Sequence, residues 1–124
     1  MRALKIAVLS ALALGLIFSN AFADGDVSKG KALFKDPAFA GGSKACNECH
    51  KDGKGLEKAA GKKEFNIMGK TQKSLAEAVN FCIINANKGQ AIDPESEQMK
   101  DIVAYIKSLK KKAPAGGYGA PGYK

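Results

Sequence analysis

The chain has 124 residues, 45% of them hydrophobic, which is enough for one small domain but not for a large core. Its formal net charge is +8, and Arg2 is its only arginine. Because arginine is the residue suited to paired hydrogen bonds with bases and phosphates, this composition argues against a nucleic-acid partner and favours an acidic protein.

The first 23 residues are typical of a secretory signal peptide. Arg2 and Lys5 precede an apolar run over residues 6–18, and the small residues Ala21 and Ala23 follow at the positions that a signal peptidase reads. The competing interpretation is a retained membrane anchor, but the run is short for a span of about 20 residues. We expect cleavage after Ala23, a periplasmic or otherwise exported location and no stable membrane anchor.

The predicted domain covers residues 24–112, and helical spacing of apolar side chains is its main pattern. Helices are predicted over residues 26–36, 71–89 and 94–112. Pro37 ends the first helix, Ser74 or Thr71 caps the start of the second, and Gly89 marks the C-terminal end of the second. One helical turn is expected at residues 56–60, and no segment alternates like a strand. Residues 113–124 read as a flexible Gly/Pro tail. The fold class is therefore all-α, with three or more helices.

Two of these helices have an apolar face that we expect to be buried. The second helix places Leu75, Val79, Cys82, Ile83 and Ala86 on one face, and the last helix has a stripe of Met99, Ile102, Val103, Ile106 and Leu109.

A glycine-rich loop joins the first two helices, and it is too long to stay structureless in a compact domain unless something organises it. It contains Cys46, Cys49 and His50 in the Cys-x-x-Cys-His spacing of covalent haem c attachment. Each cysteine sulfur adds to one haem vinyl group, and the histidine that follows ligates the iron. His50 is the only histidine in the chain, so the motif predicts one covalent haem c.

Three other readings of the motif compete with haem. A closed zinc site would need Cys46, Cys49, His50 and Cys82 together, and a histidine directly after a cysteine suits that tetrahedral geometry poorly. A thioredoxin-like redox pair is expected between a strand and a helix, and no strand pattern is present. A structural disulfide explains neither the adjacent histidine nor the loop that lacks a core.

The chain around the motif resembles the small c-type cytochromes. In them the first and last helices cross, with a glycine and an aromatic residue of the first against an aromatic residue of the last. The resemblance implies that Gly30 and Phe34 contact Tyr105 in this chain. It also implies a small cytochrome c-like bundle of three or more helices around one covalent haem.

The second axial ligand of the iron has three sulfur candidates outside the signal peptide. A common small cytochrome c supplies methionine from the loop before the last helix, but that loop has none here. Met99 belongs to the predicted buried stripe, and Met68 in "FNIMGK" is an alternative distal ligand. Cys82 lies on an apolar helix face, which suits a distal ligand and equally a buried thiol.

A narrower resemblance covers residues 46–109. This segment is similar to the haem domains of thiosulfate dehydrogenases and related sulfur-oxidation cytochromes. The matching residues are Asn80, Cys82, Gly89, Ser96, Glu97, Met99, Ala104 and Tyr105. In that family the matching cysteine is an axial haem ligand, which implies this role for Cys82. The enzymes carry two haems, whereas this chain has one attachment motif, and that difference argues against catalysis.

Eight lysines and four acids lie between Lys44 and Lys73, around and after the motif. Such lysines either steer docking to an acidic redox partner or keep an exported protein soluble. The sequence predicts a monohaem electron carrier with iron bound by His50 and Cys82. The alternatives are an enzyme or enzyme subunit that oxidises a sulfur compound such as thiosulfate, and a haem sensor in which Cys82 exchanges for a gas.

Overall fold

The computed structural model describes residues 24–112, so the expected signal peptide at residues 1–23 and the expected tail at residues 113–124 lie outside it. The described residues form α1 (Val27–Lys35), α2 (Cys46–Cys49), β1 (Phe65–Ile67), β2 (Lys70–Gln72), α3 (Leu75–Asn85) and α4 (Glu97–Ser108). Short 3₁₀ helices occupy Phe39–Gly41, Lys51–Gly53, Ala59–Gly61 and Leu109–Lys112. Within this part of the chain, no helix is long and apolar enough to cross a membrane.

The structure is mostly helical, but a β-hairpin departs from the all-α prediction. Strand β1 pairs antiparallel with β2, so that Phe65 lies opposite Gln72 and Ile67 opposite Lys70. Met68 and Gly69 make the turn with positive φ angles of 53° and 75°, as a two-residue hairpin turn requires. Strands of three residues are too short to show an alternating pattern in the sequence.

Helices α1 and α4 cross at a glycine, which confirms the contact that the cytochrome resemblance implies. A Cβ atom at Gly30 would overlap the backbone carbonyl of Asp101 and lie 2.9 Å from the Cβ of Tyr105. The rings of Phe34 and Tyr105 meet edge to face with centroids 5.1 Å apart, an arrangement that aromatic pairs favour. Both side chains are almost fully buried, so this crossing forms the main part of the core.

Helix α4 begins at a serine cap and buries the predicted stripe. The Ser96 hydroxyl accepts a hydrogen bond from the Met99 backbone N–H at 3.2 Å, which satisfies one of the free donors of the first turn. Met99, Ile102, Ile106 and Leu109 are buried and Val103 is partly buried. The prediction for this face is confirmed.

Helix α3 begins at Ser74, whose hydroxyl accepts from the Glu77 N–H at 3.1 Å. Of its predicted inward face, Val79 and Ile83 are buried, and Leu75 and Cys82 are partly buried. Ala86 is exposed, so its place on that face was a wrong prediction: the helix ends at Asn85, one residue before it.

The residue with a left-handed backbone after α3 is a lysine and not the predicted Gly89. Lys88 has the positive φ of 62°, and Gly89 does not take that conformation. The N–H of Gly89 donates to the Ile83 carbonyl at 2.9 Å, and a Cβ at Gly89 would lie 2.8 Å from the Ala40 carbonyl oxygen. A glycine is therefore needed at this position for close packing against the loop after α1.

Candidate haem site

An apolar cavity of about 250 Å³ lies beside the α1–α4 crossing. Its walls include Phe34 of α1, Val79 of α3 and Ile106 of α4. Cys46 and His50 of the predicted attachment motif line the same cavity, and so does Cys82. The fold therefore brings two motif residues and the candidate distal cysteine to one apolar space from positions more than thirty residues apart.

The ring of His50 is held by the chain that follows it. Its Nδ1 lies 3.1 Å from the carbonyl oxygen of Lys54. A carbonyl can only accept a hydrogen bond, so Nδ1 is the donor in this contact and Nε2 is the ring nitrogen left for a metal. Histidines that ligate metals commonly donate their other ring N–H to a carbonyl, which fixes the tautomer and raises ligand basicity.

The loop after His50 reaches this geometry through left-handed residues. Asp52 and Gly53 have φ angles of 51° and 83°, and the Asp52 N–H donates to Oδ1 of Asn47 at 2.9 Å. A Cβ at Gly53 would overlap the side chain of Leu109. The Lys54 carbonyl was absent from the sequence prediction, because a backbone contact of this kind leaves no mark in residue type.

Cys46 and Cys49 lie three residues apart on the single turn of α2, a spacing that makes side chains neighbours on one side of a helix. Cys46 is partly buried, and burial raises the pKa of its thiol although a hydrogen bond from Asn87 acts in the opposite direction. Cys49 is exposed. All three cysteines are free thiols.

The three candidates for the distal sulfur ligand have different surroundings. Cys82 is partly buried on the cavity wall, and burial raises the pKa of its thiol, with Cys46 and Cys49 adding to this effect. Met68 is 78% exposed at the hairpin turn. Met99 is buried in the core of α4 and does not line the cavity. Cys82 alone of the three lies in the same cavity as His50.

The zinc alternative lacks a converging ligand set. Within residues 24–112, no group of three or more His, Cys, Asp or Glu side chains lies close enough to hold a metal ion. A structural zinc site needs four ligands around one point, so the three cysteines and His50 do not form one.

The segment that includes the motif carries exposed lysines, two of which line the cavity. All eight lysines from Lys44 to Lys73 are exposed, and Lys58 and Lys62 line the cavity itself. Lys35 forms an exposed ion pair with Asp52 at 3.2 Å, and its hydrogen bond lowers the pKa of that carboxyl group.

The helical crossing and the motif beside an apolar cavity define a cytochrome c domain. The family model "SoxA/TsdA, cytochrome c domain" matches residues 29–114, well over half of the chain, and the protein belongs to this family. The resemblance to the haem domains of thiosulfate dehydrogenases and sulfur-oxidation cytochromes is thereby confirmed. No match was found among curated proteins or among solved structures.

The residues present suit the covalently bound haem c that this family implies. Two free thiols lie one helical turn apart, and an imidazole with an available Nε2 follows them. The adjoining walls are apolar, as a ring that must be shielded from water requires. Family membership also supports a haem electron-transfer role.

Proposed function

We propose that this protein is an exported monohaem c-type cytochrome that works as a one-electron carrier, with His50 and Cys82 as the iron ligands. The observation that carries the proposal is the shared apolar cavity of His50 and Cys82, with Nδ1 of His50 bound to the Lys54 carbonyl.

Each part of the site has a defined task in this proposal. Haem, when bound, supplies the reversible change between Fe(III) and Fe(II). Cys46 and Cys49 hold the ring covalently, and His50 offers Nε2 to the iron while Lys54 keeps the imidazole oriented. The apolar walls exclude water, which together with the axial ligands sets the redox potential.

The exposed lysines support docking to an acidic redox partner. Lys58 and Lys62 lie at the cavity, so a partner that meets these charges would lie beside the cofactor. Electrostatic steering of this kind raises association rates, and salt weakens it by screening.

A second candidate is an enzyme or enzyme subunit that oxidises a sulfur compound such as thiosulfate. Lys58 and Lys62 line the same cavity as Cys82 and favour this candidate, because ammonium groups at a cavity suit an anionic substrate. Joining two thiosulfate ions into tetrathionate releases two electrons, whereas one haem accepts one electron at a time. The single motif therefore favours the carrier.

The proposal is tested on the purified mature protein. We expect haem to stay with the chain in acid–acetone extraction, and to be lost in a variant with Cys46→Ala and Cys49→Ala. Electron transfer to an acidic redox protein should slow as salt rises. Lys58→Glu with Lys62→Glu should slow it more than the matched change Lys29→Glu with Lys107→Glu, because Lys29 and Lys107 do not line the cavity.

Two results would count against this reading. Complete extraction of haem from the wild-type protein would rule out covalent attachment. Sustained tetrathionate production from thiosulfate by the purified protein alone would replace the carrier with the enzyme.

A further inference from the structure

Asn87 is a buried polar residue whose side chain contacts the attachment motif. It is 5% exposed, and its Nδ2 donates a hydrogen bond to the sulfur of Cys46 at 3.3 Å. The two residues are 41 positions apart in the chain. Neither the motif nor the family match assigns a role to this asparagine.

The backbone of Asn87 is held on both sides of this contact. Its N–H donates to the Cys82 carbonyl at 3.0 Å, and its carbonyl accepts from the Ser43 N–H at 2.8 Å. Asn87 thus joins the end of α3, which carries Cys82, to the loop that leads into α2. These two bonds hold the backbone from which the side chain extends to Cys46.

An amide is a costly choice for a buried position beside a sulfur. Buried amides normally bind oxygen, because sulfur is a weak acceptor, and an apolar side chain of the same size would avoid the desolvation of the polar group. The hydrogen bond from the Asn87 amide to Cys46 therefore indicates that the position of this sulfur matters.

We infer that Asn87 is a positioning residue for Cys46, which holds the sulfur in the orientation needed for thioether formation and stays bonded to it afterwards. The inference rests on the proposed haem attachment. In that reaction the Cys46 S–H adds across a vinyl C=C bond: a C–S bond forms at one carbon, the hydrogen ends on the other, and nothing leaves. A thioether sulfur is still a weak acceptor, so the bond to Asn87 persists.

The inference has two measurable consequences. Without the Asn87 donor, haem should be attached through Cys49 alone in a larger fraction of chains. The rise should be roughly two- to tenfold, the range that loss of one neutral hydrogen bond produces in an equilibrium. The redox potential should also fall, because the positive end of the amide dipole near the ring favours the reduced iron.

The experiment compares Asn87→Ala with Asn85→Ala. Asn85 is a matched control two residues away, since its side chain donates to the Phe81 carbonyl at 2.8 Å and has no bond to a cysteine. The fraction attached by one bond is read from the visible band of the reduced pyridine complex, which moves to longer wavelength when one vinyl group stays unreacted. We expect the band and the potential to shift in the Asn87 variant only.

Further variants keep the test decisive. Asn87→Leu has a similar branched shape and no donor, and it replaces Asn87→Ala if the smaller side chain lowers the yield of folded protein. Asn87→Gln keeps an amide and should recover part of the double attachment. The inference is overturned if a folded variant without the amide has the same band position and the same redox potential as the wild-type protein. If the wild-type protein itself holds no covalent haem, the proposed function fails, which is a separate outcome.

Discussion

The α1–α4 crossing and the cavity segment (residues 46–82) are stabilised in different ways. At the crossing, backbone meets backbone at Gly30, and Phe34 and Tyr105 pack edge to face. The cavity segment consists of one helical turn, 3₁₀ turns, a short hairpin and the part of α3 that ends at Cys82. Its cysteine and histidine side chains are partly buried or exposed, and of its buried side chains only Phe65 is large. Close packing of large side chains therefore plays a smaller part there.

The difference indicates where the cofactor matters most. The crossing buries large side chains without help, whereas the cavity segment surrounds an apolar space with turns held by single hydrogen bonds. A domain of this size buries limited apolar surface, so we expect bound haem to add its stabilisation mainly to the cavity segment. The predictions below test each side of this comparison.

The largest effect is expected from Gly30→Ala at the crossing. Alanine favours helix over glycine by about 1 kcal/mol, but its Cβ would overlap the Asp101 carbonyl. We expect unfolding free energy to fall by about 3 kcal/mol, at the upper end of overpacking costs, as measured by denaturant titration. Gly61→Ala is the control, because nothing lies within 4 Å of its Cβ position. Equal stability of the two variants would show that the crossing tolerates a side chain.

An intermediate effect is expected at Cys82 in the cavity segment. Because thiolate favours Fe(III) and methionine raises the potential, Cys82→Met should raise the potential and change the oxidised low-spin spectrum. Cys82→Ala should open the iron to added ligands such as carbon monoxide. Met68→Ala is the control and should leave the iron unchanged, since Met68 is exposed at the hairpin turn.

A native spectrum with the weak methionine–iron absorption at the red end, lost in Met68→Ala, would contradict the ligand assignment. Cys82 would then be a buried thiol, and the electron-carrier proposal would stand without it. Carbon monoxide binding to the native reduced protein would instead favour the sensor reading.

The smallest effect is expected at Asp26, which caps α1. Its carboxylate accepts from the N–H groups of Ser28 and Lys29 at 2.8 and 3.0 Å, and the Lys29 bond is the main cause of its lowered pKa. A lowered pKa means that the charged cap stabilises the fold above the ordinary value of 3.8, and that this contribution is lost as pH falls through the folded value.

Asp26→Ala should therefore lower the melting temperature by a few degrees at neutral pH and by less in acid. Asp26→Asn keeps a capping oxygen and should remove only the pH-dependent part. Thermal unfolding followed by circular dichroism over a series of pH values measures both. A loss from Asp26→Ala that is the same at every pH would contradict a role for the charge.

Short-range patterns predicted the helices well. Three-to-four spacing and Pro37 placed α1 within a residue of its observed ends, and the same spacing identified the buried stripe of α4. The second helix was predicted to reach residue 89 but ends at Asn85, because helix ends depend on local backbone geometry that residue type marks weakly. The hairpin was missed because three-residue strands give no periodic signal.

The sequence by itself determined the family of this protein and predicted its haem chemistry, through the spacing of Cys46, Cys49 and His50 and the family pattern around Cys82. Only the tertiary structure decided which sulfur shares a cavity with His50, how the Lys54 carbonyl orients the imidazole, and that Asn87 reaches Cys46. The reason is physical, since spacing along the chain encodes contacts within one or two helical turns. Contacts between distant segments depend on the packing of α1 against α4 at Gly30 and of α3 beside them.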